Sequence, residues 1–279
     1  GRLGDANRSV HLLTTNDENT ARDLARELDE ENKRRRQIQA AVVEDAIRKV
    51  NAEIDLANDK AIVVWGIDWH PGVVGIAASK LKEEFHRPAI VISVNNQSIG
   101  TGSARSVKGL DLYSALTKVK SELEGYGGHP MAAGLTVKEE KLEFFRNAFV
   151  KVANEWLSDT ELKPEITLEG ELQLNDISPR LMEFLDKLAP FGPGNMRPKF
   201  YAEQVEVSGP PKVIGDGSHI RFTAKQNGSA YNAVGFNLSE HYEDLITGNP
   251  VDLAFVVEIN EWNNQRDIQL NVRDIRPSS

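Results

Sequence analysis

At 279 residues the chain is too long for one ordinary domain and comfortable for two, and 40% hydrophobic with 27% charged residues is a composition that supports sizeable cores. The absence of cysteine excludes disulfides, thiol nucleophiles and thiolate metal sites, and is compatible with a reducing cytoplasm; no apolar run approaches the ~18 residues of a membrane span, and no secretory signal or transit peptide is recognisable. Thirty-three basic against 42 acidic residues give a net charge of −9, which argues against indiscriminate coating of nucleic acid but leaves room for a local basic groove.

Gly1-Arg2-Leu3-Gly4 reads as the middle of a loop, so the chain is expected to be a piece of a longer protein. Val10–Thr14 is expected as a short strand, and Thr15 with Glu18 as a capping box opening a helix. No glycine or proline interrupts the chain from there to Asn58, and Leu24, Leu28, Ile38, Val42, Ile47, Val50 and Ile54 recur near every third or fourth position. That pattern predicts one helix of ~40 residues, or two nearly continuous ones, reaching about 60 Å, of the polar kind that bridges domains. The Lys33-Arg34-Arg35-Arg36 run invites a nucleic-acid reading, but on a helix its cations point in all directions behind Asp29, Glu30 and Glu31, so a solvated surface is the better reading.

Strands are then predicted at Ala61–Trp65, Pro88–Val94 and Leu135–Val137, alternating with helices at Val73–Phe85, Leu112–Leu123 and the stripe Leu142, Phe145, Phe149, Val152 and Trp156. This is an α/β domain. After a linker at Ser158–Pro164 the pattern changes. Ile166–Leu174, Phe200–Val207, His219–Lys225, Ser229–Phe236, Val251–Ile259 and Arg266–Ile275 read as strands, and only Pro179–Leu188 as a helix, which suggests a small β-barrel. The fold class is therefore α/β plus all-β, in three parts: 1–58 with the long connecting helix, 59–160 the α/β domain, and 161–279 the barrel.

Two glycine-rich segments in the α/β domain carry the chemistry. Gly100-Thr101-Gly102-Ser103-Ala104-Arg105-Ser106 joins glycines, which let backbone amides approach an anion, to hydroxyls and a guanidinium fork suited to phosphate. Gly127-Gly128-His129-Pro130-Met131-Ala132-Ala133-Gly134 adds an imidazole among small residues. Together they suggest a phosphate or nucleotide site. A third segment, Trp69-His70-Pro71-Gly72-Val73-Val74-Gly75, is a strand-to-helix turn whose glycines are better read as allowing close helix packing. In the barrel, Trp262 falls between the last two strands with Arg266 beside it, and Lys212, Arg221 and Lys225 add a basic edge. Phe222, Tyr231 and Phe236 lie on strands and are read as core.

These strings resemble the RecJ family of the DHH phosphoesterase superfamily. Gly127–Gly134 resembles the mark of its DHH-associated domain, the Trp69–Gly75 and Gly102–Ser106 strings narrow the likeness to RecJ, and Leu188-Ala189-Pro190-Phe191-Gly192-Pro193-Gly194-Asn195 resembles the entry to the family's OB-fold. The resemblance implies the C-terminal, DNA-binding part of a single-strand-specific 5′-to-3′ exodeoxyribonuclease of recombination and repair, in the cytoplasm, away from membranes. It implies single-stranded DNA as partner, with a single-strand-binding protein and a helicase. It implies Mn²⁺ or Mg²⁺ held by a separate DHH domain, no catalytic or metal residue here, and hence a fragment inactive alone. Carried over, Ser103 and Arg105 would hold a 5′-phosphate, Arg2 would approach backbone phosphate, and Gly127, Gly128 and His129 would line the cleft. The competing readings are a phosphodiesterase for small oligonucleotides and a non-catalytic adaptor of replication and repair.

Overall fold

The computed structural model describes residues 3–262 and 265–278, apart from the side chains of Thr160, Glu161, Trp262 and Gln265. Two units emerge, Gly1–Pro164 and Glu165–Ser279. Arg2 lies outside the described residues, as does the side chain of Trp262.

The first unit opens with helix α1 (Asn7–Thr14), not the expected strand. Val10–Thr14 lacks an apolar–polar alternation and has no sheet to join, so local backbone bonding wins and the segment packs along the next helix. Helix α2 (Glu18–Glu53) is 36 residues long. Its cap is Asp17, whose carboxylate accepts from the Thr20 amide at 2.8 Å, while Thr15 accepts from the Asp17 amide at 3.2 Å and only shapes the turn before it. A carboxylate at a helix start meets both free amides and the positive end of the dipole, which displaces the expected Thr15–Glu18 box. Val42, Ala46 and Val50, spaced at i, i+4 and i+8, are the buried residues of α2. Lys33 pairs with Asp29 at 2.8 Å, and Arg35 binds Asn32 and Gln39, so the basic run is a solvated helix surface.

The sheet follows as β1 (Ile62–Ile67), α3 (Pro71–Phe85), β2 (Ala89–Val94), β3 (Ile99–Arg105), α4 (Leu112–Lys118), β4 (Gly125–His129), β5 (Ala132–Lys138) and α5 (Leu142–Trp156), in spatial order β1-β2-β3-β5-β4. Strands β1 and β2 are parallel across α3, and the remaining pairs are antiparallel. Helix α4 ends earlier than its apolar periodicity predicts. The chain must turn there to lay β4 beside β5, where the Glu124 amide donates to the Thr136 carbonyl at 2.9 Å. Both glycine-rich segments are sheet: Gly100–Arg105 lies within β3, and Gly127–Gly134 is the β4–β5 hairpin. One sheet face buries Val64 and Val91 against α2 and α3. The other buries Ile92, Leu135 and Val137 with Leu116, Phe145 and Phe149.

In the second unit the predicted strand Ile166–Leu174 shrinks to β6 (Gly170–Glu171), with Ile166 and Leu168 exposed. Helix α6 (Pro179–Lys187), capped by Ser178, precedes β7 (Phe200–Ile214), β8 (His219–Gln226) and β9 (Ser229–Gly235). The short helix α7 (Tyr242–Ile246), too brief to leave a periodicity, leads to β10 (Val251–Trp262) and β11 (Gln265–Pro277). The strands close as β7-β8-β9-β11-β10-β7, with β9 parallel to β11. This five-stranded closed barrel, with its helix between third and fourth strands, is consistent with an OB-fold. Its core includes Val205, Ile220, Leu253, Phe255 and Leu270. Among the described residues no helix is long and apolar enough to cross a membrane.

Candidate nucleic-acid interface

Alternation along β3 sends Gly100, Gly102 and Ala104 to one face and Thr101, Ser103 and Arg105 to the other. A Cβ on Gly100 would stand 2.8 Å from Ile92, and one on Gly102 would stand 2.9 Å from Ile92 and 3.0 Å from Leu135. These two glycines are spaces filled by neighbouring core side chains. The strand is also paired on both sides, with β2 and with β5. The expectation that these glycines present backbone amides to a phosphate is therefore corrected, and β3 offers side chains instead.

The strand register sets those side chains in rows. Ser103 pairs with Gly134 and Gly134 with Gly127; Arg105 pairs with Ala132 and Ala132 with His129. Helix α3 covers only the β3 end of this face, and Gly127, Gly134 and His129 are exposed. No described atom lies within 4 Å of a Cβ built on Gly127, and the only one near Gly134 is the Gly102 carbonyl at 3.9 Å. Folding places no steric demand for glycine at either position. Their small size leaves the sheet bare there.

Gly128 is different. Its φ is +148°, and a Cβ there would meet the Ala132 carbonyl at 2.4 Å. It falls in the strand row of Ala133 and Ala104, beside the row of Ser103, and its conformation serves the hairpin. Beyond it the tip is pinned, because the Pro130 carbonyl accepts from the Leu112 amide at 2.9 Å and the Met131 carbonyl from the Ser106 amide at 3.0 Å. The Ser106 hydroxyl is itself committed to the Leu110 carbonyl at 2.7 Å. His129 is thus held in position while its imidazole makes no hydrogen bond among the described residues. Arg105 Nη1 donates to the Ala104 carbonyl at 2.8 Å, which anchors one side of the fork and leaves the other toward α3.

In the barrel, Lys212 stands directly opposite Arg221 across β7 and β8, and Lys225 opposite Glu206. Like charges paired across strands destabilise a sheet unless an anion offsets them. Among the described residues neither Lys212 nor Arg221 has a carboxylate within ion-pair distance. Arg266 is instead paired with Glu261 at 2.7 Å, which neutralises part of the charge expected beside Trp262. Phe222 is core and half-buried Tyr231 donates to the Ile177 carbonyl at 2.9 Å, but Phe236 is 52% exposed, against expectation. It lies just past the end of β9, with its ring edge-on to His219 at 5.2 Å. The sequence signal that could have found it is its position immediately after Gly235, at a strand end where alternation no longer applies.

No group of three or more His, Asp or Glu side chains converges among the described residues. Comparison with known proteins identifies both domains. The DHHA1 domain model matches residues 58–159 and the RecJ OB domain model residues 168–274. The chain is 34% identical to the single-stranded-DNA-specific exonuclease RecJ of Bacillus subtilis over 98% of this chain and 35% of that protein. It is 32% identical to the protein of the same name from Haemophilus influenzae, over 99% of this chain and 49% of that one. The crystal structure of RecJ in complex with Mn²⁺ from Thermus thermophilus superposes with a TM-score of 0.81 at 28% identity, covering 100% of this chain and 39% of that one. The chain thus spans between about a third and a half of the length of these relatives.

Proposed function

Because the chain belongs to the RecJ family, with a DHHA1 domain followed by a RecJ OB domain, we propose that it is the strand-guiding C-terminal part of a single-strand-specific 5′-to-3′ exonuclease of DNA repair and recombination. The relatives' name supplies the activity, and the bare β5–β4 face beside Ser103 and Arg105 is the observation that carries the reading. Ser103 donates its hydroxyl and Arg105 its guanidinium to the terminal 5′-phosphate, a charge-assisted contact stronger than a neutral one. Gly127 and Gly134 let the next nucleotides lie flat, and His129 reaches the phosphodiester at the far end of the row.

The barrel grips single strands, with Lys212, Arg221 and Lys225 on phosphates and Phe236 under a base; Trp262 is proposed for stacking on its sequence position alone. Mn²⁺ or Mg²⁺, named with the Thermus thermophilus structures, belongs to a DHH domain outside these residues and supplies an activated water there. Arg2 at that junction, a cytoplasmic setting, and a single-strand-binding protein and a helicase as partners are proposed on the family resemblance.

The test is binding of 5′-phosphorylated and 5′-hydroxyl single strands to the wild-type chain and to Arg105→Ala. The reading expects a preference for the phosphorylated strand that Arg105→Ala abolishes and Arg105→Lys restores only in part, since lysine keeps the charge but loses the fork. Equal weakening of both strands would make Arg105 a general backbone contact.

A further inference from the structure

A cavity of about 260 Å³ adjoins the ligand face at its Thr101 end. It sits beyond the carboxyl ends of parallel β1 and β2, against the first residues of α3. Crevices in that position are where open α/β sheets take ligands. Trp69, Pro71, Val94 and Ile99 give it apolar walls, and Asp68, Asn96 and Thr101 are among its polar edges. It is smaller than the ~300–1,000 Å³ of sites for drug-sized molecules, so it suits one flat ring system better than a whole nucleotide.

The walls are preformed. Trp69 Nε1 donates to Asp45 at 3.0 Å, the Ser93 hydroxyl donates to the Trp69 carbonyl, and the Asn95 side chain accepts from the amides of Gln97 and Ile99 at 2.9 and 3.1 Å. The Asn96 carboxamide, by contrast, makes no hydrogen bond among the described residues. It offers both donors and an acceptor, the complement of a nucleobase edge. Thr101 precedes Ser103 by two residues on the same face, roughly 7 Å along the strand. That is the scale on which one sugar separates a phosphate from its base.

We propose that this cavity receives the base of the nucleotide whose 5′-phosphate lies at Ser103 and Arg105; the inference rests on that placement of the phosphate. The apolar walls hold the faces of the ring, and Asn96 and Thr101 meet its edge.

The experiment compares binding of two 5′-phosphorylated single strands to the 279-residue chain, one natural and one with an abasic 5′-terminal residue. The wild type is expected to favour the natural strand by about tenfold, the order that one well-packed base contributes. Thr101→Tyr, which fills the cavity mouth from an exposed strand position, should reduce that ratio to near one while affinity for the abasic strand holds. Asn96→Ala, on a turn, removes only the edge contact and should narrow the ratio by about threefold, in keeping with one hydrogen bond. A ratio unchanged in both variants, with the 5′-phosphate preference present and lost in Arg105→Ala, overturns the base pocket and leaves the phosphate site standing. Absence of any 5′-phosphate preference in the wild type overturns both.

Discussion

A Cβ on Gly75 of α3 would stand 3.2 Å from Arg105 Nη2 and 3.4 Å from Ser103 Oγ on β3. Glycine in mid-helix costs about 1 kcal/mol relative to alanine, and nothing in the backbone of α3 demands it here. The missing side chain leaves the space in which the guanidinium and hydroxyl lie, so the close packing expected of Gly75 is packing against the candidate phosphate site itself. Gly75→Ala should therefore leave thermal stability unchanged or raise it by up to ~1 kcal/mol, while pushing Arg105 aside and weakening the preference for 5′-phosphorylated strands. Thermal melts paired with binding measurements check it; a variant that keeps both stability and preference would count against the placement.

The two adjacent hairpin glycines should separate cleanly. Gly127→Val adds a side chain into open space, so the fold should hold while strand binding falls. Gly128→Ala forces a Cβ into the Ala132 backbone at positive φ, and should cost about 1–3 kcal/mol of stability. Urea denaturation of each variant, followed by binding of the folded one, distinguishes a bare surface from a backbone requirement.

Lys212 and Arg221 face each other, and among the described residues no carboxylate pairs with either. Replacing either by alanine should weaken single-strand binding uniformly across sequences, and reduce the slope of log affinity against log salt by about 0.7, the value for one phosphate contact on a single strand. Phe236→Ala should cost about 1–3 kcal/mol of binding with little change in that slope. A salt titration of the three variants tests both statements together.

Asp252 predicts an acid weakness of the barrel. Burial pushes its carboxyl up, but hydrogen bonds from Ser278, from the Gln204 amide at 3.1 Å and from Arg276 at 3.0 Å outweigh it and hold it below the ordinary carboxylate value. A group lowered on folding stabilises above its unfolded value of ~3.9 and loses that contribution as pH falls through the folded value. Asp252→Asn should therefore be less stable than wild type at pH 7 by about 1.5–3 kcal/mol, the range for hydrogen bonds to a charged group. The gap should close on acidification below about pH 4. Barrel unfolding followed at a series of pH values gives both numbers; a gap independent of pH would remove the charge from the account.

Periodicity by itself determined the long helix, the helices over Pro71–Phe85 and Leu142–Trp156, and the main barrel strands, because repeats of 3.6 and 2 are written locally. It did not determine α1, where five residues without alternation had no strand partner, or the end of α4, set by where β4 must join the sheet. The candidate site divides in the same way. Serine, arginine and histidine among glycines were legible as chemistry in the sequence, but the task of each glycine was not. Gly100 and Gly102 make room for core side chains, Gly128 shapes a hairpin, Gly75 makes room for Arg105, and Gly127 and Gly134 leave a face bare. Glycine has no side chain to record which of these it does. The answer depends on which atoms stand opposite it, and pairing Ser103 with Gly134 and Gly127, or bringing Gly75 over Arg105, joins segments far apart in the chain. Strand register and helix packing made those choices, and they exist only in the tertiary structure.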